Sequence, residues 1–157
     1  MKRSTLVLDF DKTLTFHHAY DAVYYNGIHL TPKNIIFLMG GETRIETLRD
    51  FLKKCLAKGI PIHLSTYNYL DDVIKILKYL NFLSFFTSIN ATNKNTSSRI
   101  VLYKGMLYNI SNGKLVFLKT LQKPLLVDDT LVDNVELQYH NKTPLDKKDF
   151  EKILSFF

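Results

Sequence analysis

Asp9 and Asp11 stand one residue apart at the end of a short apolar run, Leu6-Val7-Leu8, and Lys12 and Thr13 follow them. Three consecutive branched apolar residues read as a strand buried on both faces, as in a parallel sheet. The two carboxylates then sit where that strand leaves the sheet. In open α/β sheets that carboxyl edge is where ligands bind. Two like charges in a cleft repel, so the site needs a shared proton or a cation between them. A magnesium ion is the simplest answer, because hard cations take carboxylate oxygens.

Two more apolar runs end in residues of chemical use. Ile60 to Leu64 stops at Ser65-Thr66, and Pro124-Leu125-Leu126-Val127 stops at Asp128-Asp129. A parallel sheet brings all three ends to one edge. Helical patterns between the runs support that arrangement. Ile45, Leu48, Leu52 and Leu56 recur at helical spacing over Glu42 to Lys58, with acids early, lysines late, and Gly59 and Pro61 as stops. Leu70, Val73, Ile74, Leu77 and Leu80 form a second stripe, with Asp71 and Asp72 at its start and Asn81 at its end. A third strand is expected near Phe86 to Ile89. Arg99 to Tyr103 and Met106 to Ile110 flank Lys104-Gly105 and predict a hairpin. Lys114 to Gln122 reads as a short helix, Val135 to Tyr139 as an edge strand, and the chain from Pro144 on as a last helix. Alternating strands and helices imply an α/β fold: a Rossmann-like three-layer sandwich around a central, mostly parallel sheet.

Residues 16–41 are irregular and rich in aromatics, with His17 and His18 paired and Asn26-Gly27 marking a turn. The segment leaves the site and must return to it, so it reads as a flap with a short element. It is too small for an independent domain. The two histidines are either substrate contacts or ordinary loop residues.

The chain of 157 residues suits one domain spanning 1–157, with a real core. A composition of 46% hydrophobic and 23% charged residues excludes a disordered chain. The single cysteine, Cys55, excludes an internal disulfide and suits a reducing compartment, which points to the cytoplasm. No apolar run is long enough to span a membrane, and Asp9 cuts the first run too early for a signal peptide. A P-loop motif is absent. The net charge of +6 favours phosphorylated substrates or polyanionic partners.

Asp9-Phe10-Asp11-Lys12-Thr13 resembles the first motif of the haloacid dehalogenase superfamily of phosphotransferases, Asp-x-Asp-x-Thr. The likeness continues in order along most of the chain. The superfamily's second motif is a strand ending in Ser or Thr. Here Thr66 is preferred to Ser65, on the distance to the helix and the Leu80-Asn81-Phe82-Leu83-Ser84-Phe85-Phe86 stretch that follow. The third motif is a lysine opening a helix before the last catalytic strand. Lys114 fits it, with Lys104 as the alternative. The fourth is an apolar strand ending in paired acids, matched by Val127-Asp128-Asp129. Most members insert a cap domain, and neither gap here is long enough for one. The resemblance is therefore to the capless group, whose open sites often serve large phosphoesters.

The resemblance implies a magnesium-dependent phosphatase that hydrolyses a phosphomonoester through an aspartyl-phosphate. Asp9 would be the nucleophile and Asp11 the acid and base. Thr66, with Ser65 beside it, would bind the phosphoryl group. Lys114 would offset charge, and Lys12 is a further candidate substrate contact. Asp9, Asp129 and Asp128 would surround the metal, together with Asp11 through its backbone carbonyl. Phosphoprotein, nucleic-acid ends and small metabolites all stand as substrates. The alternative is a catalytically weak or receiver-like binding module that acts through its basic surface. A receiver places the acidic pair first and the phosphorylated aspartate on a later strand, which is the reverse of the order here.

Overall fold

The computed structural model describes residues 2–96, 98–110 and 118–157. Strand β1, Thr5–Leu8, lies near the centre of a seven-stranded sheet. Strands β2 (Ile62–Tyr69), β3 (Ser88–Thr92), β4 (Arg99–Tyr103) and β5 (Met106–Ile110) follow on one side of it. Strands β6 (Pro124–Asp128) and β7 (Gln138–His140) lie on the other, giving the order β5-β4-β3-β2-β1-β6-β7. All pairings from β3 through β7 are parallel, and the β4–β5 hairpin adds to the β3 edge antiparallel. The mixed α/β architecture with a mostly parallel sheet is the one the alternation of patterns implies. No helix among the described residues is long and apolar enough to cross a membrane.

Helices α1 (Ala19–Tyr24) and α2 (Pro32–Leu38) fill the first connection. Helix α3 is Glu42–Ala57, α4 is Leu70–Tyr79 and α5 is Lys147–Leu154. Each stop has a local cause. Gly59 takes φ 72° after α3, and Asn81 takes φ 57° after α4, the left-handed conformation that ends a helix. Asp146 starts α5 by accepting from the N–H groups of Lys148 and Asp149, while Asp149 accepts from the Asp146 N–H.

Side chains alternate along each strand, and this alternation divides the sheet into two unlike faces. Leu6, Leu8, Ile62, Leu64, Ile89, Ala91, Leu125 and Val127 join the main core with the apolar stripes of α3, α4 and α5. The opposite face carries a small cluster at its β1–β6 end, Val7 and Leu126 under Leu118. Towards β4 the same face turns polar. His63, Ser65, Ser88, Asn90 and Arg99 all alternate onto it, and all are buried.

Several boundaries differ from expectation. Strand β2 runs past Leu64 to Tyr69, because Ser65, Thr66 and Asn68 stay buried and a register shift between Ser65 and Tyr69 keeps it on β3. Strand β3 starts at Ser88 rather than Phe86, whose N–H instead closes a tight turn onto the Leu83 carbonyl. The edge strand is shorter than Val135 to Tyr139 and begins at Gln138. Of the helix expected over Lys114 to Gln122, residues 114–117 lie outside the described residues; Leu118 and Lys119 are helical.

His63 makes stability depend on pH. Its Nδ1 lies 2.5 Å from Ser88 Oγ, and burial pushes its pKa from the ordinary 6.5 down to about 4. Between those values the unfolded chain binds a proton that the folded chain refuses. Stability therefore falls as pH drops from 6.5 towards 4, by about 2 kcal/mol once partial solvation is allowed for. Urea unfolding across that window should show the loss, and His63→Gln should flatten it. An equally steep loss in the variant would assign the effect to other groups.

Candidate active site

The chain leaves β1 at Asp9, whose N–H is held by the Val127 carbonyl of β6 at 2.9 Å. Residues Phe10–Leu14 then make one wide turn, broken where Lys12 takes φ 59°. The turn is closed by Thr15 N–H on the Phe10 carbonyl and by Lys12 N–H on Thr15 Oγ1, both at 3.0 Å. Thr13, wholly buried, donates to Asp9 Oδ2 at 3.1 Å. Asn141, just past β7, meets the same hydroxyl, with its Oδ1 3.4 Å from Thr13 Oγ1. Its Nδ2, with two protons to give, lies 3.1–3.2 Å from three acceptors: Thr13 Oγ1, the Lys12 carbonyl and the Thr143 carbonyl.

Arg44 pins the same turn from α3. Its guanidinium donates to the carbonyls of Thr13, Leu14, Met39 and Leu145 at 2.8–3.2 Å. Burial pushes its pKa down to about 10, which still leaves it charged at neutral pH. Arg44→Met should cost about 3 kcal/mol in urea unfolding, because charged hydrogen bonds are lost and buried carbonyls are left bare. A loss under about 0.5 kcal/mol would mean that water replaces the guanidinium.

Continuing the β1 register by one residue sets Asp9 beside Asp128 on β6 and beside Ser65 on β2. Carboxylate oxygens of Asp9, Asp128 and Asp129 lie within 4.8 Å of one another. Asp128 is 1% exposed, and its Oδ1 accepts from the Thr130 N–H at 3.0 Å. The Asp129 carbonyl accepts from His140 Nε2 at 2.9 Å. Three carboxylates so close repel unless a cation joins them, and an all-oxygen donor set suits a hard divalent ion.

The Asp11 carboxylate is outside that cluster, and only its backbone carbonyl was expected at a metal. The turn directs the carboxylate to α1 and β2 instead. Asn68 Nδ2 lies 3.3 and 3.4 Å from its two oxygens, the Tyr20 N–H lies 3.4 Å from Oδ2, and His18 Nδ1 lies 3.8 Å away. Burial raises the Asp11 pKa; His18, Tyr20 and Asn68 oppose the rise. A carboxyl pushed upward holds a proton more readily, as a general acid must. Asn68 also accepts from the Tyr69 N–H at 2.7 Å, so its amide is held from both ends.

Ser65 and Thr66 face opposite sides of β2. Thr66 shares the parity of Ile62 and Leu64, away from the Asp9 face, and its hydroxyl accepts from the Asn68 N–H at 3.0 Å. Ser65 is wholly buried on the Asp9 face, and its hydroxyl has no hydrogen-bond partner among the described residues. The alternation therefore puts Ser65, not the preferred Thr66, on the face that carries Asp9. Next in register, Asn90 is also wholly buried, with both amide atoms unpartnered among the described residues. Arg99 reaches back from β4, donates through Nη1 to the Thr66 carbonyl, and lies under the Tyr67 ring, 4.6 Å from its centroid. Burial lowers the Arg99 pKa, and Tyr67 and Asp9 oppose that.

The remaining candidates fall elsewhere. Lys104 is at the tip of the β4–β5 hairpin with φ 50°, its ammonium over Tyr103. That tip is at the sheet edge opposite the carboxylates, roughly 17 Å along the strand from Arg99. Lys114 lies outside the described residues. Lys12 is exposed on the turn. His18 sits beside Asp11, whereas His17 stacks on Phe37 at 4.4 Å. Asn68, Asn90, Arg99 and Asn141 are absent from the sequence-derived set. The signal that could have raised three of them is the polar half of β2, β3 and β4.

Comparison with protein-family models gives no match, and comparison with curated proteins gives none either.

Proposed function

We propose that the protein is a metal-dependent phosphatase that hydrolyses phosphomonoesters through an aspartyl-phosphate on Asp9. The observation that carries this reading is the position of Asp9 between two opposite kinds of group. Asp128 and Asp129 stand on its β6 side; Ser65 and the Arg99 guanidinium stand on its β2 side. A phosphoryl group needs that asymmetry. A cation must offset its charge while donors hold its oxygens and an anionic nucleophile faces phosphorus.

Asp9, Asp128, Asp129 and the Asp11 carbonyl would hold magnesium, which when bound would neutralise phosphoryl oxygens and align the ester for in-line attack. Thr13 would keep one Asp9 oxygen oriented. Ser65 would donate to a phosphoryl oxygen. Asp11 would give its proton to the leaving oxygen, then take one from the water that attacks the aspartyl-phosphate. Asn68 would hold Asp11 in place for both transfers. The absence of a sizeable cap over this edge among the described residues favours large or projecting phosphoesters.

Hydrolysis of an aryl phosphate with added magnesium tests the reading directly. Folded wild-type protein that releases no phosphate above an Asp9→Asn control would refute it.

A further inference from the structure

We propose that Asn90 and Arg99, together with Ser65, form an oxyanion recess beside Asp9, and that Arg99 grips the substrate's phosphoryl group there. This rests on the phosphatase reading and adds to it two residues from β3 and β4 that belong to none of the motifs above.

Polar atoms left unpaired carry the argument. Ser65 Oγ, Asn90 Oδ1 and Nδ2, and Arg99 Nε and Nη2 are all buried without a hydrogen-bond partner among the described residues. Each such atom costs folding free energy, and folded proteins keep few of them. Here they belong to three residues on one sheet face. Ser65 pairs with Asn90 across β2–β3, and Thr92, two residues on, pairs with Arg99 across β3–β4. Arg99 is 7% exposed. A buried cation is retained only where something offsets it.

The use of the guanidinium is selective. Nη1 is occupied by the Thr66 carbonyl, with Thr92 Oγ1 at 3.5 Å. The unused pair, Nε and Nη2, forms one edge of the fork, the edge that meets two oxygens of a phosphoryl group side-on. The anchor at Thr66 places the group on β2, one strand from Asp9. A phosphoryl group bound there would meet Arg99 and Ser65 on one flank and the acidic cluster with its cation on the other. Asn90 can donate from Nδ2 to a further oxygen.

Binding of inorganic phosphate, followed by phosphorus NMR titration with and without magnesium, tests the recess apart from catalysis. Arg99→Gln should weaken binding about 10- to 100-fold and raise KM for an aryl phosphate. Arg99→Lys should recover part of the affinity, since it restores the charge without the fork. Asn90→Leu removes unpaired polar atoms, so its unfolding midpoint should rise while phosphate affinity falls. A purely structural amide would give lower stability and unchanged affinity. Phosphate affinity equal to wild type in folded Arg99→Gln would overturn the proposal and leave the phosphatase reading intact. Arg99-dependent phosphate binding without any turnover would uphold the recess and refute the phosphatase.

Discussion

Asp9→Asn abolishes turnover and leaves no phosphoenzyme, whereas Asp11→Asn accumulates one: that is the expected contrast between two carboxylates a single residue apart. The turn between them sends them to different surroundings. Asp9 lies with Asp128 and Asp129 and accepts from Thr13; Asp11 lies against Asn68, Tyr20 and His18. Replacing Asp9 removes the attacking charge, so activity should fall on the order of 10⁴-fold or more. Replacing Asp11 leaves nucleophile and metal ligands in place. With an aryl phosphate the leaving group needs little protonation, so the first step partly survives. The second step still needs a base for water and should slow by roughly 10²–10⁴-fold. Intact mass after mixing with substrate should then show one added phosphoryl group on Asp11→Asn, and borohydride trapping should map it to Asp9. A phosphoryl group on Asp11, Asp128 or Asp129 would overturn the assignment and favour a receiver-like module.

Removing divalent metal has the second large effect. EDTA should take phosphatase activity to background, and magnesium should restore it. The same ion should stabilise the fold, because it relieves three carboxylates that otherwise repel within 4.8 Å. At 100 times its Kd a ligand adds about 2.7 kcal/mol, which for a chain of this size is about 5–10 °C in Tm. Asp128→Asn should behave in the opposite way without metal: less repulsion, an equal or higher Tm, and no further rise on adding magnesium. Full turnover after EDTA, or an undiminished magnesium shift in Asp128→Asn, would count against the metal assignment.

The sheet-edge convergence was legible because its cause is local. Leu6-Val7-Leu8 before Asp9 and Leu125-Leu126-Val127 before Asp128 are runs that only a strand buried on both faces explains. Right-handed crossovers then leave little choice about which edge their ends share. The stripes of α3 and α4, the left-handed stop at Asn81 and the β4–β5 hairpin follow from the same short-range rules. Those rules stop at side-chain direction. Ser65 and Thr66 are chemically near-equivalent neighbours, and only the β1–β2 register decides which one shares the Asp9 face. Asp9 and Asp11 form one pattern in the chain, yet a positive φ at Lys12 and the distant amide of Asn68 set them in separate environments.

His63, Ser65, Ser88, Asn90 and Arg99 mark the limit most clearly. Along the chain, polar residues alternating with apolar ones describe strands wetted on one side. Burial reverses that meaning: His63 and Ser88 pair with each other, and Ser65, Asn90 and one edge of the Arg99 guanidinium are left without partners among the described residues, on the face that carries Asp9. Alternation is a property of consecutive residues, so sequence by itself determines it. Whether the polar face meets water or is enclosed depends on what the rest of the chain lays over it, and only the tertiary structure decides that.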